Sequence, residues 1–114
     1  MQEDLDADHP SLGIEILSIN QIGAESGANS LSSDMDLPMV QDTTALSIWN
    51  SWGGDWRDVW ILDENNSPYA VVNLTTYGLS TAANYDGLKD LFVGAAQGVA
   101  CVDVQHGFDP SVCQ

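Results

Sequence analysis

Apolar residues in the last third of the chain recur at helical spacing. Tyr85, Leu88, Leu91, Phe92, Ala95, Ala96 and Val99 fall at i, i+3, i+4 and i+7, which predicts a helix with one buried face. Thr81 or Asn84 is its candidate N-cap. Upstream the period changes. VWILD, residues 59–63, is apolar up to its final Asp, the pattern of a strand buried on both faces. YAVVNLT, 69–75, reads as a second strand, and the turn cluster ENNSP, 64–68, joins the two as a hairpin.

The first half is more broken. QEDLDAD, 2–8, reads as the last turns of a helix that Pro10 stops. GIEILSIN, 13–20, is short, apolar and rich in β-branched residues, and predicts a buried strand. Residues 21–36 are dense in Gly, Ser and Asn and read as a long loop with room for one helical turn. LPMVQ, 37–41, is a brief extended segment that Pro38 assigns to an edge. Asp42 or Thr43 can cap a helix whose apolar face is Ala45, Leu46, Trp49 and Trp52, with Gly53-Gly54 as a left-handed stop. The order is helix end, strand, loop, helix, hairpin, helix.

Charge narrows the partners. Lys89 and Arg57 stand against seventeen Asp and Glu, a formal net charge of −15 in 114 residues. Such a surface repels phosphate backbones and anionic lipid, so neither nucleic acid nor a membrane surface is expected as a partner. The acids are spread along the chain, which reads as solubility rather than an acidic tail. The N-terminus has neither a basic start nor an apolar run, so no signal peptide is read in it.

Cys101 and Cys113 do not have the Cys-x-x-Cys spacing of redox sites or zinc knuckles. A structural disulfide closing a tail loop is the simplest reading, and it would place the protein in an oxidising compartment, periplasmic or extracellular. Two free thiols in a cytosolic protein are the alternative.

No catalytic constellation emerges from the residues, and no metal or cofactor is expected. DLDADHPSLGIE, 4–15, spaces acids like a calcium loop but has His9 where the sharp turn needs glycine. Asp34, Asp36 and the DENN turn supply no full ligand set, and His9 and His106 read as surface histidines. Asn73-Leu74-Thr75 fits a glycosylation pattern but sits in a predicted strand. Trp49, Trp52 and Trp60 read as core packing. Arg57 has two readings: a surface contact with Asp55 or Asp58 and a stack on Trp56, or a place at the mouth of the following strand.

The segments ILSINQIGAESG at 16–27, LPMVQDT at 37–43, IWNSWG at 48–53, RDVWILDENN at 57–66, YAVVNLT at 69–75 and NYDGLKDLF at 84–92 come in an order that resembles the C-terminal two-thirds of a thioredoxin-like domain. Their wording is similar to redoxin-type bacterial proteins and to the amino-terminal domain of selenoprotein P. The resemblance implies an α/β three-layer sandwich, a mixed sheet with helices on both faces, over residues 1–97, with 98–114 as a tail. It also implies that the fold's first strand and redox motif lie upstream of Met1. By position Arg57 falls near the family's cis-proline, so it would line the active-site mouth and favour a thiolate or selenolate there. The implied function is a thiol–disulfide or peroxide redox protein whose catalytic motif is outside this chain. The alternative is a non-catalytic binding or structural module on the same scaffold.

In that family the first strand lies between the strands read here at 14–20 and 59–63. Without it the two must pair directly, accept the VACVDV segment at 99–104 as a strand, or take a strand from a second molecule. A homo-oligomer formed through unpaired strands is the expectation that follows.

Overall fold

The computed structural model describes residues 1–22, 38–55, 57–104 and 107–114. Most of the expected loop at 21–36, Leu37 of the following segment, the stack of Arg57 on Trp56 and the place of His106 lie outside those residues. The fold is mixed α/β, and the chain divides into two units. One holds Met1, Glu3–Ile14 and Trp56–Gln114, and the other holds Gln2 and Glu15–Asp55.

In the first unit the expected hairpin forms, but its second strand ends at Asn73, and Leu74 and Thr75 of the predicted 69–75 strand lie in a turn. Strands β1 (Ser18–Asn20) and β2 (Met39–Gln41) belong to the other unit; here β3 (Asp58–Leu62) runs antiparallel to β4 (Pro68–Asn73), with Val59 opposite Val72 and Ile61 opposite Ala70. Asp63 builds the turn: its Oδ1 accepts from the amides of Asn65 at 2.9 Å and Ser67 at 3.0 Å. Asn66 takes the left-handed position there, at φ 61°, which Asn tolerates better than most residues. At the far end the amide of Leu74 donates to the carbonyl of Arg57.

Burial in β3 corrects the expectation of a strand covered on both faces. Ile61, Ala70 and Val72 are buried, whereas Asp58, Trp60 and Leu62 are half-buried. Directly opposed residues share a face, so a hairpin with one well-covered face alternates along each strand. Trp60 therefore belongs to the less covered side, not the deep core.

The periodic helix is α3 (Ala82–Gln97), with α1 at Gln2–Asp8 and α2 at Ile48–Trp52 before it. Its buried residues Gly87, Leu88, Leu91, Phe92, Gly94 and Ala95 follow the predicted stripe. Thr81 stands at its N-cap in extended conformation. Gly98, at φ 73°, ends it in a Schellman stop: its amide bonds Ala95 O, and that of Val99 bonds Gly94 O. In α1 Leu5 is 1% exposed while Glu3, Asp4, Asp6 and Asp8 face water. Asp8 pairs with Lys89 and Asp4 accepts from the Tyr85 hydroxyl, so both ends of α1 are tied to α3.

The tail does not become a strand at 99–104. Residues Cys101–Val104 form the short helix α4, and a 3-10 turn follows at Pro110–Val112, capped by the Asp109 side chain. Phe108 and Val112 are buried, so the tail contributes to the core.

In the second unit β1 (Ser18–Asn20) runs parallel to β2 (Met39–Gln41), with Ile19 opposite Val40. The strand expected over 13–20 is thus only its last three residues. The expected single mixed sheet is two ladders among the described residues, β1 with β2 and β3 with β4. The direct pairing of the 14–20 and 59–63 segments does not occur among them.

The helix α2 is shorter than its apolar spacing suggested. Residues 44–46 form a turn and Ser47 is left-handed at φ 48°, so Ala45 and Leu46 fall outside the helix and are exposed. Trp49 is half-buried and Trp52 is 42% exposed, which corrects the reading of both as core residues. The predicted stop holds: Gly53 is at φ 65°, its amide bonds Asn50 O, and that of Gly54 bonds Trp49 O.

Candidate functional site

Arg57 stands in the turn that leads into β3, exposed, with φ 65°. A left-handed backbone is uncommon for a residue with a Cβ and is held here by the hairpin, through the bond from Leu74 N to Arg57 O at 3.0 Å. The next residue is fixed as well. Asp58 accepts a hydrogen bond from Asn73 Nδ2 at 2.9 Å across the ladder. Asn73 in turn uses its Oδ1 to accept from the amides of Thr75 and Thr76. Arg57 therefore stands on a short hydrogen-bonded platform at one end of the hairpin.

Cys101 and Cys113 are brought together, their sulfurs at bonding distance and their Cα atoms 5.7 Å apart. Cys101 is buried beside α3, and Cys113 bridges to Ala70 on β4. Arg57 is not near that pair along the ladder. It lies opposite Leu74, four residues beyond Ala70, a distance of roughly 13 Å at the rise of a strand. The cation and the sulfurs are thus separate features.

Two further arrangements leave only a partial trace in the sequence. In the second unit Asp42 is 1% exposed, yet charged. Its Oδ1 accepts from the amides of Thr43 at 2.8 Å and Ile48 at 3.0 Å, and its Oδ2 from Trp49 at 3.1 Å. Burial pushes its carboxyl up, but the bonds from Ile48, Trp49 and Thr43 outweigh this and hold it below the ordinary value. Around it Asn20 Nδ2 donates to Gln41 Oε1 at 2.7 Å, and Trp49 Nε1 donates to the carbonyl of Ile19 at 3.2 Å. The N-cap position of α2 belongs to Ser47, not to Asp42 or Thr43 as expected; Asp42 instead reaches amides six and seven positions on, which the sequence does not show.

The other arrangement is the seat of Gly94. A Cβ there would lie 2.8 Å from Val104 Cγ2 and 2.9 Å from the Tyr69 hydroxyl, whose proton goes to Val99 O at 2.6 Å. Burial, and then Asp103, push the Tyr69 phenol up and keep it a donor. A glycine inside a periodic helix was the available signal.

Among the described residues no three or more His, Cys, Asp or Glu gather as a metal site, and no helix is long and apolar enough to cross a membrane. No family model, curated protein or solved structure matches this chain.

Proposed function

We propose that this chain is scaffold from a thioredoxin-like domain of the thiol–disulfide or peroxide redox class, with Arg57 at the mouth where a reactive thiolate or selenolate would stand. The observation that carries this reading is the order of ladders. A parallel pair with Pro38 just before its edge strand is followed by an antiparallel hairpin and then a long helix against both its strands. Arg57 sits immediately before the first hairpin strand, the position the family gives to a residue facing its redox centre. The 114 residues contain no Cys-x-x-Cys, so the chemistry this chain itself supplies is a positioned positive charge. Such a charge lowers a neighbouring thiol's pKa.

A fusion tests it. A thioredoxin-like strand–helix unit bearing Cys-x-x-Cys, placed ahead of Met1, should give a folded protein that reduces insulin disulfides. In that fusion Arg57→Ala should raise the pKa of the attacking thiol, read from the pH dependence of its alkylation. A folded but inactive fusion, or an unchanged thiol pKa, counts against the reading.

A non-catalytic binding or structural module on the same scaffold is the second reading. It is favoured by one observation: Cys101 and Cys113 are bonded to each other, leaving neither as a free thiol. Under it the chain alone shows no insulin reduction above buffer, and turnover near that of a thioredoxin control would overturn it.

A further inference from the structure

Cys113 and Gln114 lie along the outer edge of β4, and Cys113 is disulfide-bonded to Cys101. β4 has β3 on one side. On the other, Cys113 forms an antiparallel bridge with Ala70, and the amide of Gln114 donates to Tyr69 O at 3.0 Å. The bond from Leu74 to Arg57 fixes the alternation of the β3–β4 ladder, so the Val71 amide points away from β3, toward the tail. An uncovered edge of this kind is a template for strand addition.

The tail is held at two places of different character. Near its start Phe108 is buried with its ring 4.7 Å from that of Tyr77, edge to face, and the Asp109 amide donates to the Tyr77 hydroxyl. That anchor needs no covalent bond. Beyond the 3-10 turn, Cys113 and Gln114 touch β4 through one bridge and one hydrogen bond, a far smaller contact than the buried Phe108 makes. The disulfide to Cys101 makes this second docking intramolecular within a ring of twelve residues' separation. Of its two sulfur-bearing residues Cys113 is the less buried, so it is the one an incoming thiolate reaches.

We propose that the Cys101–Cys113 disulfide is a redox-operated latch that holds the C-terminal residues over the β4 edge and uncovers that edge when reduced. The reductant is a dithiol. Its thiolate attacks Cys113 Sγ and breaks the S–S bond, and Cys101 leaves as thiolate and takes up a proton. The second thiol of the reductant then resolves the mixed disulfide, leaving two cysteine thiols and an oxidised reductant. The proposal stands on the tail's contacts alone and does not depend on the thioredoxin-like reading.

Amide hydrogen exchange followed by NMR tests it, on the full chain oxidised, on the chain reduced with dithiothreitol, and on Cys113→Ser. Reduction and substitution should each speed exchange of the Val71 and Gln114 amides by on the order of tenfold to a hundredfold, the range that closing a ring of this size adds to docking. The ladder amides of Val59 and Val72 should keep their rates, and reoxidation should restore protection at Val71. Unchanged protection at Val71 and Gln114 overturns the proposal, because packing at Phe108 and Val112 then suffices. So does a common acceleration that includes Val59 and Val72, because the disulfide is then a staple of the whole unit.

Discussion

Gly94 and Arg57 show opposite uses of backbone freedom. Gly94 is helical, where alanine is intrinsically better by up to about 1 kcal/mol. Its missing side chain is nonetheless required, because the Tyr69 hydroxyl and a Val104 methyl occupy the space. Gly94→Ala should lower stability by about 1–3 kcal/mol in urea unfolding, as overpacking does. Adding Val104→Ala should recover part of the loss, and a stabilised Gly94→Ala would show the seat to be open. At Arg57 a side chain is borne at φ 65°. Arg57→Gly should therefore leave stability unchanged or raise it by up to about 1 kcal/mol, whereas the β-branched Arg57→Val should lower it. Equal effects of the two replacements would contradict the left-handed turn.

Among the elements, α2 depends most on a single side chain. It has five residues, too few to be stable alone, and none is buried. What fixes it is Asp42 at its start and the Gly53 stop at its end. Asp42→Ala should remove the acceptor for three amides, reduce helical circular dichroism and lower the melting temperature. Asp42→Asn, with one carbonyl acceptor in place of two carboxylate oxygens, should fall between wild type and Asp42→Ala. A variant that melts with wild type would mean that α2 stands without the Asp42 bonds. The α1 helix is held differently, by buried Leu5 together with the Asp4–Tyr85 and Asp8–Lys89 contacts. Those polar ties are at the surface, so Leu5→Ala should cost far more than Lys89→Met; a buried leucine truncation is worth about 2–5 kcal/mol.

For the molecule as a whole the net charge of −15 sets how stability responds to salt and pH. Self-repulsion opposes the compact state, so raising sodium chloride from about 10 mM to about 0.5 M should raise the melting temperature, as screening shortens the reach of each charge. Acidification from neutrality should at first stabilise for the same reason. The trend then reverses. Asp8 is lowered by its hydrogen bond and charge contact with Lys89, and Asp42 by its three amides. Their contribution is complete above the unfolded carboxylate value near about 3.9 and is lost as pH falls through their lower folded values. On the alkaline side Lys89 is raised by Asp8, and Tyr85 by its bond to Asp4. That contribution is complete below their unfolded values near about 10 and is lost as pH rises through the folded ones. Melting temperature against pH should thus peak on the mildly acidic side. A peak at neutral pH with no salt response would refute the repulsion.

Where contacts are local, the order of residues alone determined the outcome. The stripe from Leu88 to Ala95 makes α3, Asp63 with Asn66 turns the hairpin, and Gly53 halts α2, because each acts within a few positions along the chain. The cysteines were legible as a pair, though not as the edge of β4. Tertiary structure decided the rest. It left only Ser18–Asn20 of a longer apolar run as strand, left Trp52 42% exposed, sent the Asp42 carboxylate past Ser47 to Ile48 and Trp49, and laid Cys113 beside Ala70. Those results depend on which distant backbone groups need a partner. That demand leaves no periodic trace in the sequence, since any nearby polar group can meet it. Arg57 is the intermediate case: that it is the single arginine is plain from the sequence, while the left-handed turn beneath it goes with the bond that Leu74 makes to its carbonyl.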